Sequence, residues 1–142
     1  MAVMHAAFDP QFGEAWNRRQ VEDALLIGNC HYGLVDSRGQ PGSGDVETAG
    51  FFLARTGFEE EELLLLAVDP RYRQRGFGRT LLNEFAEAAF ARGARRLLLE
   101  MRRGNPAELL YRNFGFLPIG QRPNYYRTPS GDRIDAITFA KI

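Results

Sequence analysis

Six consecutive apolar residues, Leu63 to Val68, run straight into Asp69-Pro70, an arginine-rich turn holding Gly76 and Gly78, and then a long apolar stripe at helical spacing. An unbroken apolar run ended by a turn reads as a strand covered on both faces, as in the middle of a mixed sheet. The stripe from Gly78 to Arg92 places Leu81, Leu82, Phe85, Ala86, Ala89 and Phe90 on one helical face, and Gly93 follows as a stop. Buried strand, glycine turn and amphipathic helix in direct succession point to an α/β chain rather than a sandwich or a helical bundle.

The remaining elements fit the same class. Asn17 to Ile27 spaces Val21, Ala24 and Leu25 as a short helix ended by Gly28-Asn29, and His31–Val35 and Ala49–Ala54 read as a hairpin around a polar loop, Asp36 to Thr48. Glu62 to Val68 is a third strand and Arg95 to Met101 a fourth. Asn105-Pro106-Ala107-Glu108 has the cap, first-turn proline and acid of a helix start, with Ala107, Leu110, Tyr111 and Phe114 as its apolar face and Gly115 as its end. Phe116–Ile119 and Ile134–Phe139 are two more strands, joined through a polar turn at Pro129 to Asp132. A chain of 142 residues accommodates one domain of this kind, 1–142.

Six apolar residues fall far short of the roughly 20 that a membrane-spanning helix needs. Met1 to Phe8 carries no basic residue and meets Asp9-Pro10 at once, unlike a signal peptide, so a cytoplasmic chain is expected. Cys30 is the only cysteine, which excludes an internal disulfide and a multi-cysteine metal site. His5 and His31 are too far apart for a local metal pair, and no metal is expected.

Eighteen basic and eighteen acidic residues cancel, but seventeen of the basic ones are arginine and nine of those lie between Arg71 and Arg103. The block Glu59 to Glu62 reads as a solvated strand start. Positive charge concentrated at one turn of a neutral domain suits a small phosphate-bearing ligand better than a nucleic acid. At a strand-turn-helix junction the first helical N–H groups have no intrahelical acceptor and the helix dipole adds positive charge, so an anion is favoured there. Gly76 and Gly78 permit close backbone approach, and Arg73, Arg75 and Arg79 supply neutralising charge. A plain turn is the alternative. The dinucleotide fingerprint fails because position 81 is Leu81, and no Gly-Lys-Ser/Thr is present for a P-loop.

Arg73-Gln74-Arg75-Gly76-Phe77-Gly78, preceded by Ala67-Val68-Asp69-Pro70, resembles the acetyl-CoA signature of the GNAT superfamily of N-acetyltransferases. Glu100, Asn105, the run Leu110 to Phe116 and Arg122-Pro123-Asn124-Tyr125-Tyr126 resemble its RimI-type branch, the ribosomal-protein-alanine N-acetyltransferases, and the likeness runs from about Glu62 to Tyr126. Ala7-Phe8-Asp9-Pro10 and Trp16 are only loosely similar to the family's amino-terminal region, which is shortened here, and Ile134-Asp135-Ala136 replaces the family's Glu-Asp-Ala. The resemblance implies a mixed, mostly antiparallel sheet flanked by helices. It implies acetyl-CoA as cosubstrate, bound by the backbone of Leu66, Ala67 and Val68, by Arg73, Gln74, Arg75, Gly76, Phe77, Gly78 and Arg79, and by Asn105.

Acetyl transfer from a thioester to an amine needs a neutral amine, a polarised carbonyl and a proton for the leaving thiolate. The resemblance gives the base to Glu100 and the proton donor to Tyr111. On residues alone, Glu100 is equally a strand-end glutamate paired with Arg102 or Arg103, Tyr111 a core tyrosine, Asn105 a helix cap, and Tyr125 and Tyr126 either a groove wall or sheet packing. The acceptor implied is a protein N-terminus, alanine on a small-subunit ribosomal protein, with no nucleic acid or membrane involved. Ile134 and the short amino terminus keep lysine or small amines open as acceptors, and a non-catalytic acyl-CoA-binding module as a third reading.

Overall fold

The structure, a computed structural model, describes residues 2–8, 16–42 and 46–142, with the side chains of His5 and Ile27 outside the described set. Asp9-Pro10 and part of the Asp36 to Thr48 loop therefore lie outside it too. The described residues form helices α1 (Ala2–Ala7), α2 (Arg18–Ile27), α3 (Phe77–Ala91) and α4 (Glu108–Phe114). The strands are β1 (Cys30–Asp36), β2 (Thr48–Gly57), β3 (Glu60–Val68), β4 (Arg96–Arg102), β5 (Leu117–Arg127) and β6 (Arg133–Lys141), in one sheet of order β1-β2-β3-β4-β6-β5. Only β3 and β4 run parallel. No helix of the described residues is long and apolar enough to cross a membrane.

Local chemistry accounts for the element ends. The Asn17 side chain accepts from the Gln20 N–H while the Gln20 side chain accepts from the Asn17 N–H, both at 2.8 Å, a reciprocal cap that starts α2; Gly28, at φ 88°, ends it. Helix α3 buries Phe77, Leu81, Leu82, Phe85, Ala86 and Ala89 against the sheet, while Phe90, expected on that face, is exposed at the helix edge. Helix α1 was not anticipated; it sets Met4 against Leu53 and Leu65 on the other face of the sheet, where Phe8 and Trp16 join them.

Three expectations need correction. Strand β5 continues past Ile119 to Arg127 despite Gly120 and Pro123, because it is the sheet edge, where a missing N–H breaks no outer ladder and register shifts absorb the irregular residues. Helix α4 starts at Glu108, not at Asn105: the Asn105 side chain closes a turn by accepting from the Ala107 N–H at 2.9 Å, and the helix begins after it without a side-chain cap. The acidic block is not a solvated strand start. Glu60 pairs with Arg96 at 2.7 Å and Glu62 with Arg55 at 2.6 Å, while Glu61 is only 1% exposed and is gripped by Arg92.

That last contact joins the base of β3 to the end of α3. Glu61 accepts from Arg92 Nη2 at 2.7 Å and from the Thr56 hydroxyl at 3.0 Å, and Thr56 in turn meets His31 Nε2 at 2.9 Å. Burial pushes the Glu61 carboxyl up, but the hydrogen bonds from Arg92 and Thr56 outweigh it and hold the group below the ordinary carboxylate range. Arg92→Met strands a buried carboxylate and is expected to cost on the order of 3 kcal/mol at pH 7, read by urea denaturation. Because the folded Glu61 value is lowered, the pair's stabilisation is present above the unfolded glutamate value of about 4.3 and is lost as pH falls through the folded one. Wild type and variant should therefore converge in acid.

Candidate functional site

A split in the sheet organises the site. Strand β3 pairs with β4 only from Glu60↔Arg96 to Leu63↔Leu99. Beyond that point Leu66, Ala67 and Val68 remain bonded to Phe52, Phe51 and Gly50 of β2, and Glu100, Met101 and Arg102 to Thr138, Ile137 and Ala136 of β6. The inner edges of the two strands thus face one another without a ladder, and backbone N–H and C=O groups on such an edge are able to pair with an extended amide-bearing molecule.

The split opens onto the arginine-rich turn. The Asp69 side chain accepts from the Arg71 N–H at 3.0 Å and starts a short 3-10 turn, Pro70–Tyr72. Gln74 at φ 63° and Gly76 at φ 80° take left-handed backbone, so the chain reverses tightly into α3. Gly76 has no side chain to cap the helix, and the first i to i−4 bond runs from the Thr80 N–H to the Gly76 carbonyl at 3.0 Å. The N–H groups of Phe77, Gly78 and Arg79 precede that bond and constitute the uncapped, positive end of α3.

The arginines divide into distinct roles. Arg71 is neutralised within the protein by Glu47 at 2.6 Å and Asp69 at 3.1 Å, and the Tyr72 hydroxyl also donates to Glu47 at 2.6 Å. The hydrogen bonds from Arg71 hold the Asp69 carboxyl below its ordinary range, and those from Tyr72 and Arg71 do the same for Glu47. Arg73, expected at an anion, donates to the carbonyls of Ala7 at 2.9 Å and Val68 at 3.3 Å. Arg75 and Arg79 lie over the rings of Tyr72 and Phe114, 5.3 and 5.6 Å from their centres, and pair with no carboxylate among the described residues. Phe77 contributes only backbone at this end, since its side chain is buried beside Tyr72. Gly78 has a packing reason that sequence reading missed: a Cβ there would meet Leu110 of α4 at 3.0 Å.

Glu100 is the first β4 residue past the point where the strands part, and its side chain is 16% exposed. The Thr138 hydroxyl donates to its Oε2 at 3.4 Å, and Arg122 Nε lies 3.3 Å from the same oxygen. The cation beside Glu100 is thus Arg122 of β5, whereas Arg103 pairs with Asp135 at 3.6 Å and with Gln121 at 2.8 Å. Bulges in β5 obscure its register, so nothing in the sequence pattern pointed to this contact. Tyr111 is 8% exposed and packs with Leu97, Leu99 and Met101, its ring edge-on to Phe116 at 6.1 Å. Since Glu100 alternates with Leu99 and Met101, Glu100 and Tyr111 approach β4 from opposite faces. Tyr125 and Tyr126 follow a bulge fixed by Asp135, whose Oδ1 accepts from the N–H of Asn124, at φ 57°, over 2.9 Å. Tyr126 pairs in register with half-buried Ile134.

A family model described as the acetyltransferase (GNAT) family matches residues 1–116. A [ribosomal protein bS18]-alanine N-acetyltransferase of Haemophilus influenzae is 37% identical over 91 residues, 64% of this chain and 62% of its own length. The N-alpha-acetyltransferase RimI of Mycobacterium tuberculosis is 46% identical over 81 residues, 56% of this chain and 49% of its own. The chain therefore matches less than two thirds of either relative. A crystal structure of the ribosomal-protein-S18-alanine N-acetyltransferase from Escherichia coli superposes with a TM-score of 0.79 at 29% identity, covering 99% of this chain and 83% of that one.

Gly76 tests the turn directly. A Cβ there meets nothing within 4 Å, so Gly76→Ala carries only the strain of left-handed backbone, about 1 kcal/mol. Thermal unfolding should fall by roughly 3 °C. Gly120→Ala, equally open but without that backbone requirement, should leave it unchanged.

Proposed function

The chain belongs to the acetyltransferase (GNAT) family, and on that premise we propose that it transfers the acetyl group of acetyl-CoA directly to the N-terminal α-amine of a protein, an alanine terminus of a small-subunit ribosomal protein. The observation that carries this reading is the split between β3 and β4, with a free backbone edge along one side, the uncapped end of α3 at its mouth and Glu100 at its apex. An amide-bearing arm attached to a pyrophosphate fits those features. Leu66, Ala67 and Val68 hold the arm as an added strand, while the N–H groups of Phe77, Gly78 and Arg79, with the turn from Gln74 to Gly76 and the Arg75 and Arg79 guanidiniums, take the pyrophosphate. Asn105 stands in the turn after β4. Arg73 acts one step back, fixing the Val68 carbonyl at the rim.

Acetyl-CoA supplies an activated acyl carbon. A backbone N–H of the β3 edge polarises its carbonyl, and the incoming nitrogen forms a C–N bond as the C–S bond breaks. Glu100 accepts the proton released by that nitrogen, and the Tyr111 hydroxyl gives one to the departing sulfur, so protons and charge balance. An α-amine suits this arrangement, with a pKa of about 7.7–8.0 against about 10.4 for lysine. A ribosomal acceptor places the protein in the cytoplasm.

Direct transfer leaves no role for Cys30 of β1, which packs near Met4, Leu53 and Leu65; burial pushes its thiol up, against a smaller opposing effect of Arg55. Cys30→Ala should retain full turnover, and recovery of an acetylated Cys30 with loss of rate in the variant would contradict direct transfer. Glu100→Gln and Tyr111→Phe should each lower kcat about 100-fold while acetyl-CoA affinity, measured by calorimetry, stays within about twofold. A peptide with a free N-terminal alanine and one internal lysine should gain its acetyl group on the α-amine, located by fragment masses. Acetyl on the lysine alone, or on neither amine, would overturn the assignment.

A further inference from the structure

We propose that Arg122 sets which amine is acetylated: its guanidinium, standing against the Glu100 carboxylate, admits an amine that arrives neutral and turns away one that arrives as an ammonium. The inference deepens the function proposed above and rests on Glu100 as the proton acceptor.

The geometry begins with a cross-strand row. Glu100 of β4 lies opposite Thr138 of β6, and Thr138 opposite Gly120 of β5. Gly120 has no side chain, and a Cβ there would meet nothing within 4 Å, so the outer end of the row is open. Arg122, two residues along β5 and paired with Ala136, brings Nε to 3.3 Å from Glu100 Oε2. Thr138 donates to the same oxygen at 3.4 Å. Both contacts fall on Oε2, which leaves Oε1 as the oxygen available to an acceptor's proton. The Arg122 guanidinium also lies over the Tyr125 ring, whose centre is 5.1 Å away.

The exposures of the two partners differ. The Glu100 side chain is 16% exposed and that of Arg122 is 61% exposed, so the carboxylate is mostly out of water and its charge is already answered by a permanent cation. An ammonium arriving at Oε1 meets that cation in a site where charges are screened less than in bulk water. A neutral amine meets no such repulsion. Near pH 7 roughly a tenth of α-amine is neutral, against roughly one lysine in 2,500. Arg122 preserves this advantage, whereas a lone carboxylate would attract the lysine ammonium and erode it.

The test uses the full chain, acetyl-CoA and the peptide with a free N-terminal alanine and one internal lysine, with initial rates of α- and ε-acetylation read from fragment masses at pH 7 and constant salt. Arg122→Gln should lower the ratio of α- to ε-product by about tenfold, through a lower KM for the lysine amine. Arg122→Lys, which restores the cation, should return the ratio to within about twofold of wild type. An unchanged ratio in Arg122→Gln, including an equal loss at both amines, overturns the role of Arg122. Glu100→Gln, assayed alongside, separates the two layers: its impairment with an unchanged Arg122→Gln ratio removes only the selectivity role, while its full activity, or no transfer by wild type, removes the underlying reading and the proposal with it.

Discussion

One extra residue in β3 governs how the sheet opens. Leu65 pairs with Leu53 and Leu63 with Ala54, which leaves Leu64 unpaired as a bulge. Leu63 packs on the face of α3, Leu64 and Leu65 both turn to the face of α1, and Leu66 returns to the α3 face. A bulge bends its strand and increases local twist. Parallel pairing with β4 ends at the residue before it, Leu63, and the two strands part into the slot that the arginine-rich turn closes at its mouth. Without that bend β3 and β4 would continue to pair, and Glu100 would face a closed ladder rather than an opening.

Charge is then sorted around the opening. At the base of β3, glutamates 60, 61 and 62 are each tied to an arginine, with Glu61 and Arg92 locking the end of α3. At the mouth, Arg71 is satisfied by Asp69 and Glu47 and ties the end of the β1–β2 loop to the turn, while Arg75 and Arg79 lie over aromatic rings and pair with no carboxylate among the described residues. At the apex, Glu100 pairs, among the described residues, with one guanidinium, brought in by the edge hairpin. The cluster of arginines in the sequence thus contains structural locks, a support for the Val68 carbonyl, and two guanidiniums with no carboxylate partner among the described residues, in separate places.

Much of this layout is legible in the residues because it depends on local chemistry. The apolar run of β3, the stripe of α3, the short helix after Asn17 and the glycine stops are written in neighbouring positions. What escaped were contacts between distant segments. The length of β5 depends on its place at the sheet edge, the burial of Glu61 on the end of α3, and the partner of Glu100 on a hairpin whose bulges erase the two-residue period that would place Arg122. Arg73 looked equivalent to Arg75 and Arg79 because nothing in a run of closely spaced arginines records which carbonyl or carboxylate each will meet.

On the proposed function, the unpaired edge of β3 and the uncapped end of α3 form one continuous binding site, and backbone amide resonances followed during titration with CoA report on both at once. The amides of Leu66, Ala67 and Val68 and those of Gly76 to Arg79 should shift together along one binding curve and gain protection from hydrogen exchange, while amides of β1 and of the base of β3 stay unmoved. Shifts confined to the arginine turn, or a curve for β3 separate from that for α3, would contradict it.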